Sequence, residues 1–118
     1  MVIFGVDYGM MLTVGAAVEL EELIPSHELS DFGELMDGSY TTIAENAPKL
    51  IGIMNRGYIE YMSVMHPEEN VNRFDVNPGV FKIMTPGDLN KIMNEVVTVL
   101  TEGMERTVVA EAIPGKNE

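Results

Sequence analysis

The sequence predicts an α+β fold that is mainly α, with a short N-terminal β-hairpin packed on three to four helices. Three observations predict it. β-Branched and aromatic residues cluster at the start of the chain, apolar residues recur at helical spacing in three later segments, and Thr, Ser or Pro marks the ends of those segments. With 118 residues, 46% of them hydrophobic, one domain can bury a core without disulfides or metals. We expect an α-rich domain over residues 1–110 and a flexible tail over residues 111–118.

The first twelve residues predict the hairpin. Residues 2–6 and 10–12 are apolar or glycine, and they flank Asp7-Tyr8-Gly9, a sequence typical of a tight turn. Two short strands joined by that turn are the simplest interpretation.

The first helix is predicted over residues 14–24, with Thr13 as its N-cap and Pro25 after its end. Residues 26–38 are acidic and mixed, and we expect one helical turn around residues 31–36. The helix has an apolar face formed by Ala16, Ala17, Leu20, Leu23 and Ile24, and an acidic face formed by Glu19, Glu21 and Glu22.

A central helix is predicted from Pro48 to Met65. Proline suits the first turn of a helix, where its missing N–H costs nothing. The apolar residues of this helix cover about two thirds of its circumference, whereas a helix on the surface of a domain needs an apolar stripe of little more than roughly 100°. The residues that widen the apolar face are Leu50, Ile53, Tyr61 and Val64.

These four residues are the candidate protein-binding residues. If they stay uncovered, they can bind a partner helix in a groove, with Met and Tyr side chains supplying adaptable contacts. The alternative is that residues 26–38 of the same chain cover them and that the surplus is ordinary core. The burial of the four side chains distinguishes the two interpretations.

The last helix has a strong start signal. Thr85 is a candidate N-cap, Pro86 occupies the first helical position and Asp88 lies in the first turn. Between the central and last helices, residues 66–83 predict a long loop with one short strand at Val80 to Ile83.

Charge and composition restrict the class of protein. Seven Lys and Arg against nineteen Asp and Glu give a net charge of -12, and every basic residue lies at or after Lys49. Such a chain repels phosphate backbones and anionic membrane surfaces, so we expect neither nucleic acid nor membrane as a partner. The chain has no Cys, which excludes disulfides, thiolate metal sites and cysteine nucleophiles.

No motif predicts a catalytic, metal or cofactor site. His27 and His66 are far apart in sequence and each lies beside a break, so we interpret both as solvated loop residues. A sequence beginning at Asp75 starts like a calcium loop but lacks the required residues at three positions. The glutamates of the first helix are interpreted as a solvated face. We therefore expect no enzyme activity, no metal and no cofactor.

One short segment favours an enzyme instead. Phe4-Gly5-Val6-Asp7-Tyr8-Gly9 resembles the first strand of ribonuclease-H-like nucleases of the Holliday-junction-resolvase group. That resemblance implies a Mg²⁺-dependent nuclease in which Asp7 binds the metal. The competing interpretation of Asp7-Tyr8-Gly9 is the hairpin turn, which needs no ligand.

A different resemblance covers the whole chain. The N-terminal hairpin, the segment Leu12-Thr13-Val14-Gly15-Ala16-Ala17-Val18-Glu19-Leu20-Glu21-Glu22-Leu23, the central helix and the final helix opened by Thr85-Pro86-Gly87-Asp88-Leu89 resemble the tail assembly chaperones of long-tailed bacteriophages and their prophage relatives. The strongest local likeness is Thr13-x-Gly15-Ala16-x-x-Glu19-Leu20-Glu21.

The resemblance implies a non-enzymatic role in the host cytoplasm. Chaperones of this family coat the long apolar helices of the tape measure protein until subunits of the major tail tube protein replace them, and they commonly self-associate as homo-oligomers. A generic phage structural or adaptor protein is the alternative within the binding class.

Overall fold

The computed structural model describes residues 1–105, so the tail predicted for residues 111–118 and the end of the predicted domain lie outside the described residues. The described part is mainly α with an N-terminal hairpin, which confirms the predicted fold class. A short 3-10 segment, Leu29–Leu35, lies between the first two α-helices. The strands are β1 (Val2–Ile3) and β2 (Val6–Asp7), and the helices are α1 (Val14–Leu23), α2 (Tyr40–Met65), α3 (Val80–Ile83) and α4 (Pro86–Glu105).

The hairpin turns earlier than predicted. β1 and β2 pair antiparallel with Ile3 opposite Val6, so the loop between them is Phe4-Gly5. Both loop residues have positive φ, 46° and 80°, as the first and second residues of a type I′ turn require. The turn predicted at Asp7-Tyr8-Gly9 is wrong. Asp7 belongs to β2, and the strand pairing leaves only Phe4 and Gly5 as the loop between the strands.

The start of α1 is confirmed. The Thr13 hydroxyl oxygen accepts a hydrogen bond from the Ala16 N–H at 3.1 Å, as an N-cap should. The helix ends at Leu23, one residue before the predicted end and two before Pro25. Ala16, Leu20 and the following Ile24 are buried, as the apolar face predicts.

The central helix α2 begins eight residues before its predicted start at Pro48, and this prediction is wrong. Ser39 is the N-cap, and its hydroxyl oxygen lies 3.4 Å from the Thr42 nitrogen that donates to it. Pro48 therefore lies inside the helix, where it cannot donate to the Ala44 carbonyl one turn earlier. The helix tolerates this loss because the flanking turns are anchored in the core. The predicted end at Met65 is confirmed.

The segment Val80–Ile83 is one helical turn, so the strand predicted there is wrong. The N–H groups of Val80 and Lys82 donate to the carbonyls of Asn77 and Gly79, each at 3.0 Å. A lone strand needs a neighbouring strand for these groups, whereas a helical turn satisfies them locally. The turn also buries Phe81.

The start of α4 is confirmed. The Thr85 hydroxyl oxygen accepts from the Asp88 N–H at 3.2 Å, and Pro86 is the first helical residue. The buried residues of this helix are Leu89, Ile92, Met93, Val96 and Leu100, whereas Val97 and Met104 are exposed.

The first helix packs antiparallel against the second. Near the start of α1, Ala16 and Thr13 lie so close to Gly57 that a Cβ there would be 2.9 Å from the Thr13 hydroxyl. Near the end of α1, Leu23 shares a cleft with Ile53, about one turn earlier in α2. Glycine at position 57 therefore allows the close crossing of the two helices.

The loop after α2 returns along that helix and is held by one buried amide. Asn55 donates from Nδ2 to the carbonyls of Gly9, at 2.9 Å, and Asn72, at 3.1 Å. Its Oδ1 accepts from the Phe74 N–H at 2.7 Å. Asn55 thus ties the segment after the hairpin and the returning loop to the middle of α2, and α4 then starts beside the first turns of α2.

No helix within residues 1–105 is long and apolar enough to cross a membrane.

Candidate partner-binding surface

Two of the four candidate protein-binding residues belong to the core. Leu50 is fully buried and Ile53 is 7% exposed. Both α1 and the 3-10 segment pack on α2, and Ile53 lines the same cleft as Leu23. We therefore correct the expectation for these two residues: in the single subunit, the chain itself covers Leu50 and Ile53, and neither side chain is available to a partner.

The other two candidates lie outside the core. Tyr61 is partly exposed, and its ring and the His66 ring meet edge to face at a centroid distance of 6.4 Å. Val64 is 56% exposed. The four predicted residues are thus divided between the middle of the helix, where Leu50 and Ile53 are buried, and its end, where Tyr61 is partly exposed and Val64 is exposed.

The whole end of α2 shares this exposure. Eight residues of the helix are buried, all between Ala44 and Gly57, and none of residues 58–65 is buried. The hairpin segment and α1 still approach this end, because a Cβ added at Gly9 would meet the Tyr58 ring and a Cβ added at Gly15 would lie 3.5 Å from the Glu60 carboxylate. We call the following set the α2 end surface: Tyr58, Ile59, Tyr61, Met62, Val64 and Met65.

The outer side of α1 also carries exposed apolar residues, which the predicted apolar face of this helix does not include. Val14 is 84% exposed and Val18 is 51% exposed, and residues four apart lie on the same face of a helix. The signal was available, because this helix has apolar residues on the side opposite Ala16 and Leu20 as well. The hairpin adds Phe4, which is 68% exposed at the turn.

The charges around these apolar surfaces are mostly negative. Glu60, Glu68 and Glu69 are exposed around the end of α2. Farther along, Arg56 Nη2 lies 2.7 Å from Glu19 Oε1, which closes one side of a cleft of about 400 Å³ between α1 and α2. Within residues 1–105, the end of α2 therefore combines a partly exposed apolar surface with exposed glutamates around it.

Asp7, the metal-binding residue of the nuclease interpretation, pairs with the N-terminus of the chain. Asp7 Oδ1 lies 3.0 Å from the amino group of Met1. Across residues 1–105, no group of three His, Cys, Asp or Glu side chains lies close enough together to hold a metal ion. His27 contacts the Glu21 carbonyl through Nδ1 at 3.0 Å, and His66 caps the end of α2.

No protein-family model, no curated protein and no solved structure matches the chain.

Proposed function

We propose that this chain is a tail assembly chaperone of a long-tailed bacteriophage or prophage, a non-enzymatic protein of the host cytoplasm that self-associates and binds the tape measure protein. The single observation that carries the proposal is the partly exposed apolar end of α2, with Val64 56% exposed, on a strongly acidic domain. The resemblance of the whole chain to that family supplies the identity of the partner.

The chemistry of the surface suits such a partner. A long apolar helix is held by apolar side chains that it can pack against, and unbranched Met with amphipathic Tyr adapts to a helix whose surface varies along its length. Both residue types occur twice in the α2 end surface. The net charge of -12 keeps a protein with exposed apolar surface soluble and self-repelling at low concentration.

The test uses the neighbouring gene and one pair of variants. If the proposal holds, the gene for this chain lies just upstream of a very long gene, and co-expression of the two keeps the long product soluble. Val64→Arg, which puts a charge into the α2 end surface, should abolish that solubilisation. Val97→Arg, on the exposed side of α4 where Val97 is 37% exposed, should leave it intact.

Two results contradict the proposal. One is that the wild-type chain fails to bind the product of the long gene. The other is that Val64→Arg and Val97→Arg bind it equally well. Binding of a different structural protein, through the same surface, would favour the adaptor function instead.

A further inference from the structure

The outer face of α1 is apolar at its start and acidic near its end. Val14 and Val18 lie one turn apart, and Glu21 follows on the same face one turn later. Val14 is 84% exposed and Val18 is 51% exposed, whereas Leu20 on the opposite face is fully buried. We call Val14, Val18 and Glu21 the outer α1 face.

The outer α1 face has neither an apolar cover nor a counter-charge within residues 1–105. Exposed apolar side chains that adjoin on one face are typical of a surface that another segment covers. The neighbouring Glu19 is paired with Arg56, but the Glu21 carboxylate forms no ion pair with a residue of the described part. A segment that suits this face therefore carries apolar residues followed by a cation.

The segment that follows α4 in the sequence has this composition. It contains Val109, Ile113 and Lys116, separated by four residues and then by three. The outer α1 face has the same spacing, with an anion in the place of the cation. The two anions of the segment, Glu111 and Glu118, lie outside this spacing.

The chain leaves α4 beside the start of α1. A Cβ added at Gly103 would lie 2.5 Å from the Leu12 Cβ, so the last turn of α4 packs against the residue two positions before α1. Two residues span at most about 7 Å, which places Val14 close to this contact. Because α4 ends at Glu105, the segment that follows starts near the first residue of the outer α1 face.

The segment is also long enough to follow the outer α1 face. The seven residues from Val14 to Glu21 rise about 10 Å along the helix. The same number of residues, from Val109 to Lys116, spans up to about 23 Å when extended. Residues 106–108 are available for the turn that brings the chain from the end of α4 back along α1.

From this match in position, length and charge we propose that residues 109–116 pack on the outer α1 face of the same subunit. Val109 and Ile113 contact the two valines, and Lys116 pairs with Glu21. These residues then fasten α1 to the end of α4 from outside, in place of the flexible tail that their composition alone predicts. The α2 end surface takes no part in this contact, so the inference does not depend on the proposed function.

Pairs of introduced cysteines test the contact in the full chain. The chain has no Cys of its own, so each double variant contains only the two new thiols. Val18→Cys with Ile113→Cys tests the outer α1 face, and Val64→Cys with Ile113→Cys tests the α2 end surface as the other place for the segment. Val18 and Val64 are 51% and 56% exposed, so the two thiols are equally accessible. Val97→Cys with Ile113→Cys is the control on α4.

The measurement is the rate at which each variant forms a disulfide within one subunit at low protein concentration, followed by intact mass and unreduced gels. A disulfide needs two Cα atoms within about 7 Å of each other. The Val18 pair should therefore form at least tenfold faster than the other two. Circular dichroism confirms that each variant is folded, and Val14→Cys with Val109→Cys is a second pair across the same contact if the first does not fold.

Three results overturn the proposal. The Val64 pair forms at least as fast as the Val18 pair, which places the segment on the α2 end surface. The three pairs form at equal rates, or the Val18 pair forms disulfides only between copies. A fast Val18 pair combined with a failed co-expression test would remove the proposed partner and keep this contact.

Charge reversal tests the ion pair in the same cysteine variant. Lys116→Glu and Glu21→Lys should each slow disulfide formation about threefold at low salt, as expected for an exposed ion pair, and the two changes together should restore the rate. Lys91→Glu, at an exposed position of α4, is the matched control and should leave the rate unchanged. The pairing is wrong if Lys116→Glu acts no more strongly than Lys91→Glu, or if the exchange of charges restores nothing.

Discussion

The two parts of α2 have similar apolar patterns and different surroundings. All eight buried residues of the helix lie between Ala44 and Gly57, whereas the apolar residues of the α2 end surface remain at least partly exposed. Other elements reach the first part from several sides, namely α1, the 3-10 segment, α3 and α4. The difference shows that apolar periodicity marks a face that can be buried, and that the lengths of the neighbouring elements decide which part of that face is buried.

The largest expected effect on stability comes from truncating one aliphatic side chain in each part of α2, Leu50 in the first part and Val64 at the end. Leu50→Ala should lower the free energy of unfolding by about 3–4 kcal/mol, because it leaves a cavity in a fully buried position. Val64→Ala should change it by less than about 0.5 kcal/mol. Urea unfolding at a concentration where the chain is monomeric measures both values. Similar losses for the two variants would mean that the end of α2 is core after all.

A second expected loss concerns the amide that anchors the first part of α2 to its neighbours. Asn55→Ala should cost about 3 kcal/mol, because the carbonyls of Gly9 and Asn72 and the Phe74 N–H each lose a hydrogen bond worth roughly 1 kcal/mol. The exposed Asn70, in the same loop, supplies the control substitution Asn70→Ala.

Hydrogen exchange separates this role from general packing. In Asn55→Ala the amide of Phe74 should exchange faster than in the wild-type chain, by more than the loss of global stability explains. An unchanged exchange rate at Phe74, together with a stability loss like that of Asn70→Ala, would remove Asn55 as the anchor of the returning loop.

Two glycines of α2 sharpen the comparison further, since their surroundings differ. A Cβ at Gly57 would lie 2.7 Å from the Met11 carbonyl oxygen, whereas a Cβ at Gly52 meets only the flexible Arg56 side chain and Phe74, at 3.5 and 3.9 Å. Gly57→Ala should therefore destabilise the fold by about 2 kcal/mol. Gly52→Ala should stabilise it by about 0.5–1 kcal/mol, because alanine favours the helix.

In thermal unfolding, the melting temperatures of the two glycine variants should shift in opposite directions from that of the wild-type chain if α1 and α2 cross as closely as the structure shows. A stabilised Gly57→Ala would show that the two helices can move apart at no cost, and that α1 does not limit how much of α2 is buried.

Local signals in the sequence were sufficient for much of this fold. The hydroxyl caps at Thr13 and Thr85 were predictable, because a cap depends only on residues within one turn. The start of α2 is predicted at Pro48 because proline matches the rule for a first turn, although the sequence also marks Ser39, nine residues earlier, as an N-cap, and Ser39 is the actual cap. The rule for proline depends only on residues within one turn, whereas the packing that allows Pro48 inside the helix involves residues that are distant in sequence.

The candidate surface was only partly predictable for the same reason. The periodicity of α2 predicts an apolar face, but whether Leu50 or Val64 lies under another element depends on where α1 begins and ends in space. Nothing in the periodicity of α2 contains that information. The groove lined by Tyr40, Phe81 and Pro86 is not predictable from the sequence, because these residues meet there from three separate elements.

The smallest expected effect is that of the ion pair between α1 and α2. Glu19 and Arg56 are 2.7 Å apart, and their side chains are 43% and 48% exposed, so water and salt screen the attraction. A double-mutant cycle with Glu19→Ala and Arg56→Ala should give a coupling energy below about 1 kcal/mol at low salt, falling further at high salt. A coupling as large as the loss from Leu50→Ala would mean that charge pairing, and not apolar burial, fixes α1 on α2. The contrast between the two parts of the helix would then need an electrostatic explanation, because the exposed end of α2 carries acidic residues without a comparable pair across to α1 among the described residues.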